Sequence, residues 1–438
     1  MELFEYTATE LAKMIVKREV SSEEIVCCFL KQIELVNPHL NAAVQIFAEE
    51  AVMAAKKADS VRHPTTPLHG VPFTAKDVFE VEGKISAAGI MERKDFRPAE
   101  TAVAVQRLLD AGAILLAKSN CPPGGAGGES DNPVYGRTLN PFLPSRTPGG
   151  SSGGEAALVS ARASSLGLGS DSGGSLRFPA HCCGVYSFKP TTGRVPNTGA
   201  YEHPGGLTDP RTQIGAMARS VEDLELAYGI LAGPDPRDSG TFPVPVTSSA
   251  SAAKRLRESG KGLKILYFGS DNDLSPTAET VVAVKRVAEL LRHLPYTESL
   301  SEGAPPYCPK KSLDVSQRYW QSSDLSGLDR DKLLTDWDVF RASLALEFKK
   351  WDVVVGPVCA TPAPEHGTVD AVTFQYTLAY SLLGCPCLVV PAGMSSEGLP
   401  IGVQLAAAPW NEDILLAIGL MLQRELGPGP RPLRLLNT

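Results

Sequence analysis

Three stretches of this sequence set a lysine, glycines and serines where they could do covalent chemistry. Lys76 closes the strand-like run 68–76; Gly149-Gly150-Ser151-Ser152-Gly153-Gly154 is a first Gly-Ser loop; Gly169-Ser170-Asp171-Ser172-Gly173-Gly174-Ser175-Leu176-Arg177 is a second. A serine hydroxyl is a poor nucleophile until a base takes its proton. Lysine can be that base only when neutral, and burial away from carboxylates favours the neutral amine, because desolvation penalises the ammonium form. Asp77 follows Lys76 directly, and strand alternation turns it to the opposite face.

The first loop contains the pattern Gly-x-Ser-x-Gly with Ser152 at its centre, the pattern of a nucleophile elbow. That reading needs an acid and a histidine downstream, and the late histidine, His366, stands in a loop-like context between Pro364 and Gly367. The lysine and Ser/Thr of a phosphate-binding loop are missing. In the second loop, glycines just before Ser175 let the backbone turn tightly and aim successive N–H groups at one point. Such donors could hold the oxyanion of a tetrahedral intermediate. A tight turn with no further task accounts for the same glycines, and both readings stand on composition alone.

Such residues need a rigid scaffold to hold them. Thr7 with Glu10, and Ser21 with Glu24, have capping-box spacing, the second before the apolar run Ile25, Val26, Phe29, Leu30; two helices therefore open the chain, the second ending at Pro38. An Ala-rich helix is expected over 41–59, a helix over 103–113, a strand over 114–118, and a helix over 155–162 inside the Gly-, Ser- and Pro-rich stretch 122–174. Helices over 221–231, 277–293 and 415–426 and buried strands over 352–356 and 387–391 follow. This alternation predicts an α/β fold with one large sheet covered on both faces. The expected organisation is a single domain over 1–438 with a variable peripheral region at about 236–350.

The 438 residues, 43% hydrophobic and 21% charged, have the composition of a globular enzyme and suffice for a core without disulfides or metal. A net charge of −7 without any run of Lys or Arg argues against a nucleic-acid partner. No apolar stretch approaches the roughly 18 residues of a spanning helix. The acidic start MELFEY lacks the basic and apolar regions of a secretory signal, so a cytoplasmic protein without a membrane anchor is expected. The nine cysteines show no paired CxxC spacing; no metal site is expected, and the thiols read as small buried hydrophobes. Histidines outside the loops, His69 included, read as structural.

The strings LHGVPFTAKD, TPGGSSGGEAAL, GSDSGGSLRFPA with GVYSFKPTTGRVP, and GCPCLVVPAGMSSEGLPIGVQLAA together resemble the amidase signature family, over residues 5 to about 235 and 350 to about 425. The motifs are long and in the family's order. The resemblance implies one large mixed, twisted sheet of about eleven strands flanked by helices on both faces. It implies Lys76 as the catalytic lysine, Ser151 as a bridging serine preceded by a cis peptide bond, and Ser175 as the nucleophile, with no cofactor. Ser151 would relay a proton from Ser175 to Lys76. The backbone N–H groups of Ser172, Gly173, Gly174 and Ser175 would form the oxyanion hole. Asp171 and Arg177 flank the nucleophile and could pair to fix its loop, and Ser152 could hydrogen-bond within its own. Gly125, Ala126 and Gly127 match a segment that contacts the acyl group.

Members of that family cleave fatty acid amides, aryl and alkyl amides, indoleacetamide, carbamates, ureas and glutamine. The segment 124–128 carries no bulky side chain, which points to an open mouth for broad or aromatic substrates, although tight backbone packing would need the same glycines. The expectation is a serine amidohydrolase that cleaves small amides, anilides or carbamates (urethanes), with esterase side activity, through an acyl-enzyme. A lipid amide hydrolase and an amidotransferase-type component of a protein complex are the alternatives. Intact Lys76, Ser151 and Ser175 weigh against an inactive scaffold. Ser170 stands where the family commonly has Thr, Ser172 where it has an aliphatic residue or Gly, and Tyr380-Ser381 where it has Ala-Asn. Trp320, Trp337 and Phe340 read as core or as a cap over the pocket. Nothing in the sequence specifies an oligomeric state.

Overall fold

The computed structural model describes residues 2–201, 212–259, 261–321 and 325–432. Both capping boxes close: Thr7 caps α1 (Ala8–Val16) and Ser21 caps α2 (Ser22–Leu40), each hydroxyl accepting from the N3 amide while Glu10 or Glu24 reaches back. Pro38 does not end α2 but lies within its last turn, and the helix stops at Asn41, whose φ of 49° is left-handed. The Ala-rich stretch expected to be one helix divides into β1 (Ala43–Ile46) and α3 (Ala48–Asp59).

The first half continues with β2 (Pro72–Lys76), α4 (Val103–Asp110), β3 (Ile114–Ser119), the small hairpin β4 (Asp131–Asn132) and β5 (Gly136–Arg137), α5 (Gly153–Ser160), β6 (Leu166–Asp171), α6 (Arg177–Cys183), β7 (Tyr186–Lys189), β8 (Gln213–Ala218) and α7 (Val221–Leu231). The second half holds α8 (Ser249–Ser259), β9 (Leu263–Tyr267), α9 (Ala278–Arg292), β10 (Thr297–Glu302), α10 (Pro309–Trp320), α11 (Gly327–Glu347), β11 (Val353–Pro357), α12 (Gln375–Leu383), β12 (Cys387–Met394), β13 (Pro400–Ala407) and α13 (Glu412–Leu426).

Among the described residues, eleven strands form one mixed sheet in the order β1-β3-β2-β6-β8-β7-β12-β13-β11-β9-β10, flanked by helices. β2 runs parallel to both β3 and β6, and β9 parallel to both β10 and β11. The inner strands β2, β6, β7, β8, β11 and β13 are buried along their whole length, as strands covered on both faces must be. Phe29 of α2, Leu291 of α9 and Leu415 and Ile418 of α13 pack into the same core with no exposed surface.

The stretch expected at the periphery departs from that expectation. It supplies β9 and β10 to the sheet, and Ile265, Val284 and Val287 are fully buried. No helix among the described residues is long and apolar enough to cross a membrane. The topology sets Lys76 at the carboxyl end of β2 and Asp171 at that of its parallel neighbour β6, with Thr74 opposite Gly167 and Ala75 opposite Leu168. The loops following both strands therefore open at one edge of the sheet, where open α/β sheets bind their ligands.

Candidate active site

Lys76 is fully buried, and its Nζ donates to Ser151 Oγ at 2.7 Å and to Ser170 Oγ at 2.8 Å. Asp77 turns away from it, as alternation predicts, and pairs with Lys118 Nζ at 2.8 Å; Lys118 is steadied further by Ile85 O and Ser86 Oγ. Burial pushes the Asp77 carboxyl up and the Lys118 amine down, against their mutual attraction.

The Gly150–Ser151 peptide bond is cis. A Cβ on Gly150 would lie 2.5 Å from the carbonyl carbon of Gly128, so the loop needs glycine for its close approach to the segment before Glu129. Ser152 then begins α5. Its amide donates to Ser175 O at 3.2 Å, and its hydroxyl donates to Ser170 O at 3.2 Å, tying the two loops together. Ser151 and Ser152 are both fully buried.

The second loop leaves β6 at Asp171 and enters α6 at Arg177. Arg177 and Asp171 form a fully buried pair, Nη2 to Oδ1 at 2.9 Å and Nε to Oδ2 at 3.0 Å. Burial alone would raise the Asp171 carboxyl, but the Arg177 charge outweighs it and holds the group below its ordinary range. Arg177 also donates to Thr377 O at 2.9 Å, Ser381 Oγ at 2.6 Å and Gln404 Oε1 at 3.2 Å, which anchors the loop to α12 and β13.

Of the four amides expected to face an oxyanion, Gly174 is otherwise engaged: its N–H donates to Asp171 Oδ1 at 2.8 Å. The amides of Ser172, Gly173 and Ser175 make no hydrogen bond among the described residues. Gly174 has φ +140°, and a Cβ there would meet Thr377 Oγ1 at 2.6 Å. From Thr147 to Thr191 every residue is buried except Ser172 and Ser175, which are half-buried. Solvent or substrate therefore reaches this part of the chain at those two serines. No hydrogen bond among the described residues joins Ser175 Oγ to Ser151 Oγ; the direct bond present is that of Ser151 to Lys76.

The surroundings of the turn are apolar. A Cβ on Gly173 would lie 3.1 Å from Trp320 Cζ2 and 3.4 Å from Leu378 Cδ2, while Phe374 stands against Gly174 and Gly128. Thr377 Oγ1 donates to Gly173 O from the same helix α12. Of the three aromatics offered as core or cap, Trp337 and Phe340 are core, 4% and 1% exposed, and Trp320, 43% exposed, reaches the turn. Gly125 is buried, and Ala126 and Gly127 are exposed. Gln213, paired with Asp171 across β6 and β8, lines a cavity of about 470 Å³ with Thr191, Leu382, Trp337 and Trp410.

The Ser-His-acid alternative finds no support in the geometry. Ser152 Oγ is spent on Ser170 O, and His366 faces Glu129 at 3.0 Å. His181 is buried on α6, its Nδ1 accepting from Gly402 N–H at 3.0 Å, with Nε2 at 2.9 Å from Thr361 O; burial lowers it, so it stays neutral. Two groups at the lysine are missed by sequence reasoning. Ser170 stands out there only as a departure from Thr, and Glu155 is hidden inside an Ala-rich helical run. Alternation along β6 offers a signal for the first; the sequence holds none for the second.

The family model described as Amidase matches residues 24–320 and 317–416. The chain is 32% identical to a glutamyl-tRNA(Gln) amidotransferase subunit of Lachnospira eligens, over 98% of this chain and 99% of that protein. It is 30% identical to indoleacetamide hydrolase of Bradyrhizobium diazoefficiens, over 97% of this chain and 87% of that one. Among solved structures, 6-aminohexanoate cyclic dimer hydrolase complexed with substrate aligns over 100% of both chains with a TM-score of 0.86 and 25% identity.

Proposed function

This chain belongs to the amidase signature family of serine amidohydrolases, and from that premise we propose that it is a hydrolase of small amides, anilides or carbamates that works without a protein partner. The observation that carries the proposal is the hydrogen bond of Lys76 to Ser151 in a fully buried site beneath the half-exposed Ser175. In this reading Ser175 Oγ attacks the substrate carbonyl while its proton passes through Ser151 to Lys76. The amides of Ser172, Gly173 and Ser175 hold the oxyanion, and Gly174 holds Asp171 and so the shape of the turn. Collapse of the tetrahedral intermediate breaks the C–N bond, and the stored proton returns through Ser151 to the leaving amine. Water, deprotonated along the same route, then cleaves the acyl-enzyme and restores Ser175.

Trp320, Phe374 and Leu378 beside the turn favour substrates with a flat or apolar group next to the carbonyl. The relation to an indoleacetamide hydrolase is in keeping with this. The relation to amidotransferase subunits supplies the competing reading, in which glutamine is the substrate and a second protein takes the ammonia. The purified chain alone, given an acetanilide, a phenyl carbamate and glutamine in parallel, separates the two. The expected result is turnover of the anilide and carbamate that falls about 10²–10⁴-fold in Lys76→Ala. Turnover of glutamine only, or none without an added partner, contradicts it.

A further inference from the structure

One buried acid beneath the site has no part in that scheme. Glu155 is fully buried in the first turn of α5, directly after the loop that carries Ser151. Thr74 and Lys76 share one face of β2, two residues apart, and both reach this end of α5. Thr74 Oγ1 donates to Glu155 Oε2 at 2.6 Å, and Lys76 Nζ donates to Ser151 Oγ at 2.7 Å. On β6, a Cβ on Gly167, the register partner of Thr74, would come within 2.5 Å of Glu155 Oε2, so glycine leaves the carboxyl its room. Glu155 Oε1 and Ser119 Oγ have no hydrogen-bond partner among the described residues. Ser119 is a polar neighbour of the carboxyl without bonding it within hydrogen-bond geometry, and an apolar side chain would fill the same place without under-satisfied polar atoms.

We infer that Glu155 is a positioning residue whose carboxyl shares the buried compartment of Lys76 and sets the pH at which Ser175 becomes reactive. The inference rests on the reading of Lys76 as the base. Burial pushes Glu155 up to about 8, against the neighbouring hydroxyls of Ser119 and Thr74 and the charge of Lys76. Glu155 therefore changes charge near neutral to mildly alkaline pH, inside the compartment that holds the amine. An ionised carboxyl in the same buried compartment works against the neutral amine that the reaction needs, so removing its charge should let Ser175 react at lower pH.

The other charged groups on the elements packed against α5 are engaged elsewhere. Lys118 on β3 pairs with Asp77; Asp171 and Arg177 pair with each other; His181 on α6 is bonded to Gly402. Arg162, after α5, faces Glu5, and Arg219, after β8, donates to Ser164 O and Phe4 O.

The test is the rate at which an alkyl fluorophosphonate labels Ser175, from about pH 5 to about pH 10, in wild type, Glu155→Gln and Thr74→Val. The neutral isostere Glu155→Gln is expected to move the midpoint of the rising limb about one unit lower, which is about tenfold faster labelling below it. Thr74→Val removes a hydroxyl that steadies the carboxylate and is expected to move the midpoint the same way by less. A merely structural acid would change stability or overall rate and leave the midpoint in place. Folded variants that both keep the wild-type midpoint overturn the inference. Should Glu155→Gln fail to fold, the presence or absence of a shift in Thr74→Val decides alone. A wild-type chain that takes no label overturns the reading of Ser175 and this inference with it, an outcome distinct from an unmoved midpoint.

Discussion

Asp171 and Arg177 show how one residue pair can hold a reactive turn in shape. Asp171 accepts from the amides of Gly174, Leu176 and Arg177 and from the Arg177 guanidinium, all out of contact with water. Removing one partner leaves the other charge buried and unpaired, so Arg177→Met is expected to cost about 3–5 kcal/mol in urea unfolding. The pair also gives stability a pH dependence. The Asp171 carboxyl is held low in the folded chain, so its contribution is fully present above the unfolded value of about 4 and is lost as pH falls through the folded value. Wild type should therefore lose stability more steeply than Asp171→Asn on acidification below about pH 4, measured by urea midpoints. The pairing was legible from two opposite charges flanking Ser175. The engagement of the Gly174 amide was not, because a short Asp side chain competes with any ligand for nearby backbone donors, and only geometry decides between them.

At the scale of elements, α12 is the clamp on this turn. Thr377 Oγ1, with one proton to give, lies within hydrogen-bond reach of Gly173 O and Phe374 O, and Thr377 O receives Arg177. Thr377→Val keeps the volume and removes the hydroxyl, so the Gly173 carbonyl and the amide beside it lose their fixed orientation. The expected effect is about a tenfold drop in kcat/KM, with stability changed by only about 1 kcal/mol. An unchanged kcat/KM would show that the turn holds itself. Elements with a strong period or a cap were legible: α1, α2, α7 and α9 lie close to where their spacing predicts. Those buried on every side were not. β6 reads LGLGSD, with glycines that carry little strand signal, and α12 is buried all round and shows no polar stripe. β10 escaped because a half-buried edge strand, TESLSE, is mostly polar. Trp320 and Trp337 have the same chemistry in sequence, and only the packing of α10 and α11 shows which of them reaches Gly173.

Over the whole molecule, the sheet brings residue 76 to the loops at 151 and 175, and then to anchors at 377 and 404 from the other end of the chain. Those strings were legible because close backbone approaches demand glycine and because the chemistry demands lysine and serine in set places. The lining of the pocket was not, since it comes from helices whose sequence is free to vary as long as they pack. The claim on which everything else depends is that Ser175 is an activated nucleophile in the isolated chain. The direct measurement is the intact mass of the purified protein after treatment with a fluorophosphonate, followed by peptide mapping, with Ser175→Ala alongside. One adduct, mapped to Ser175 and absent from the variant, is the predicted result. A folded protein that takes no adduct, or an adduct that maps to Ser152, contradicts it.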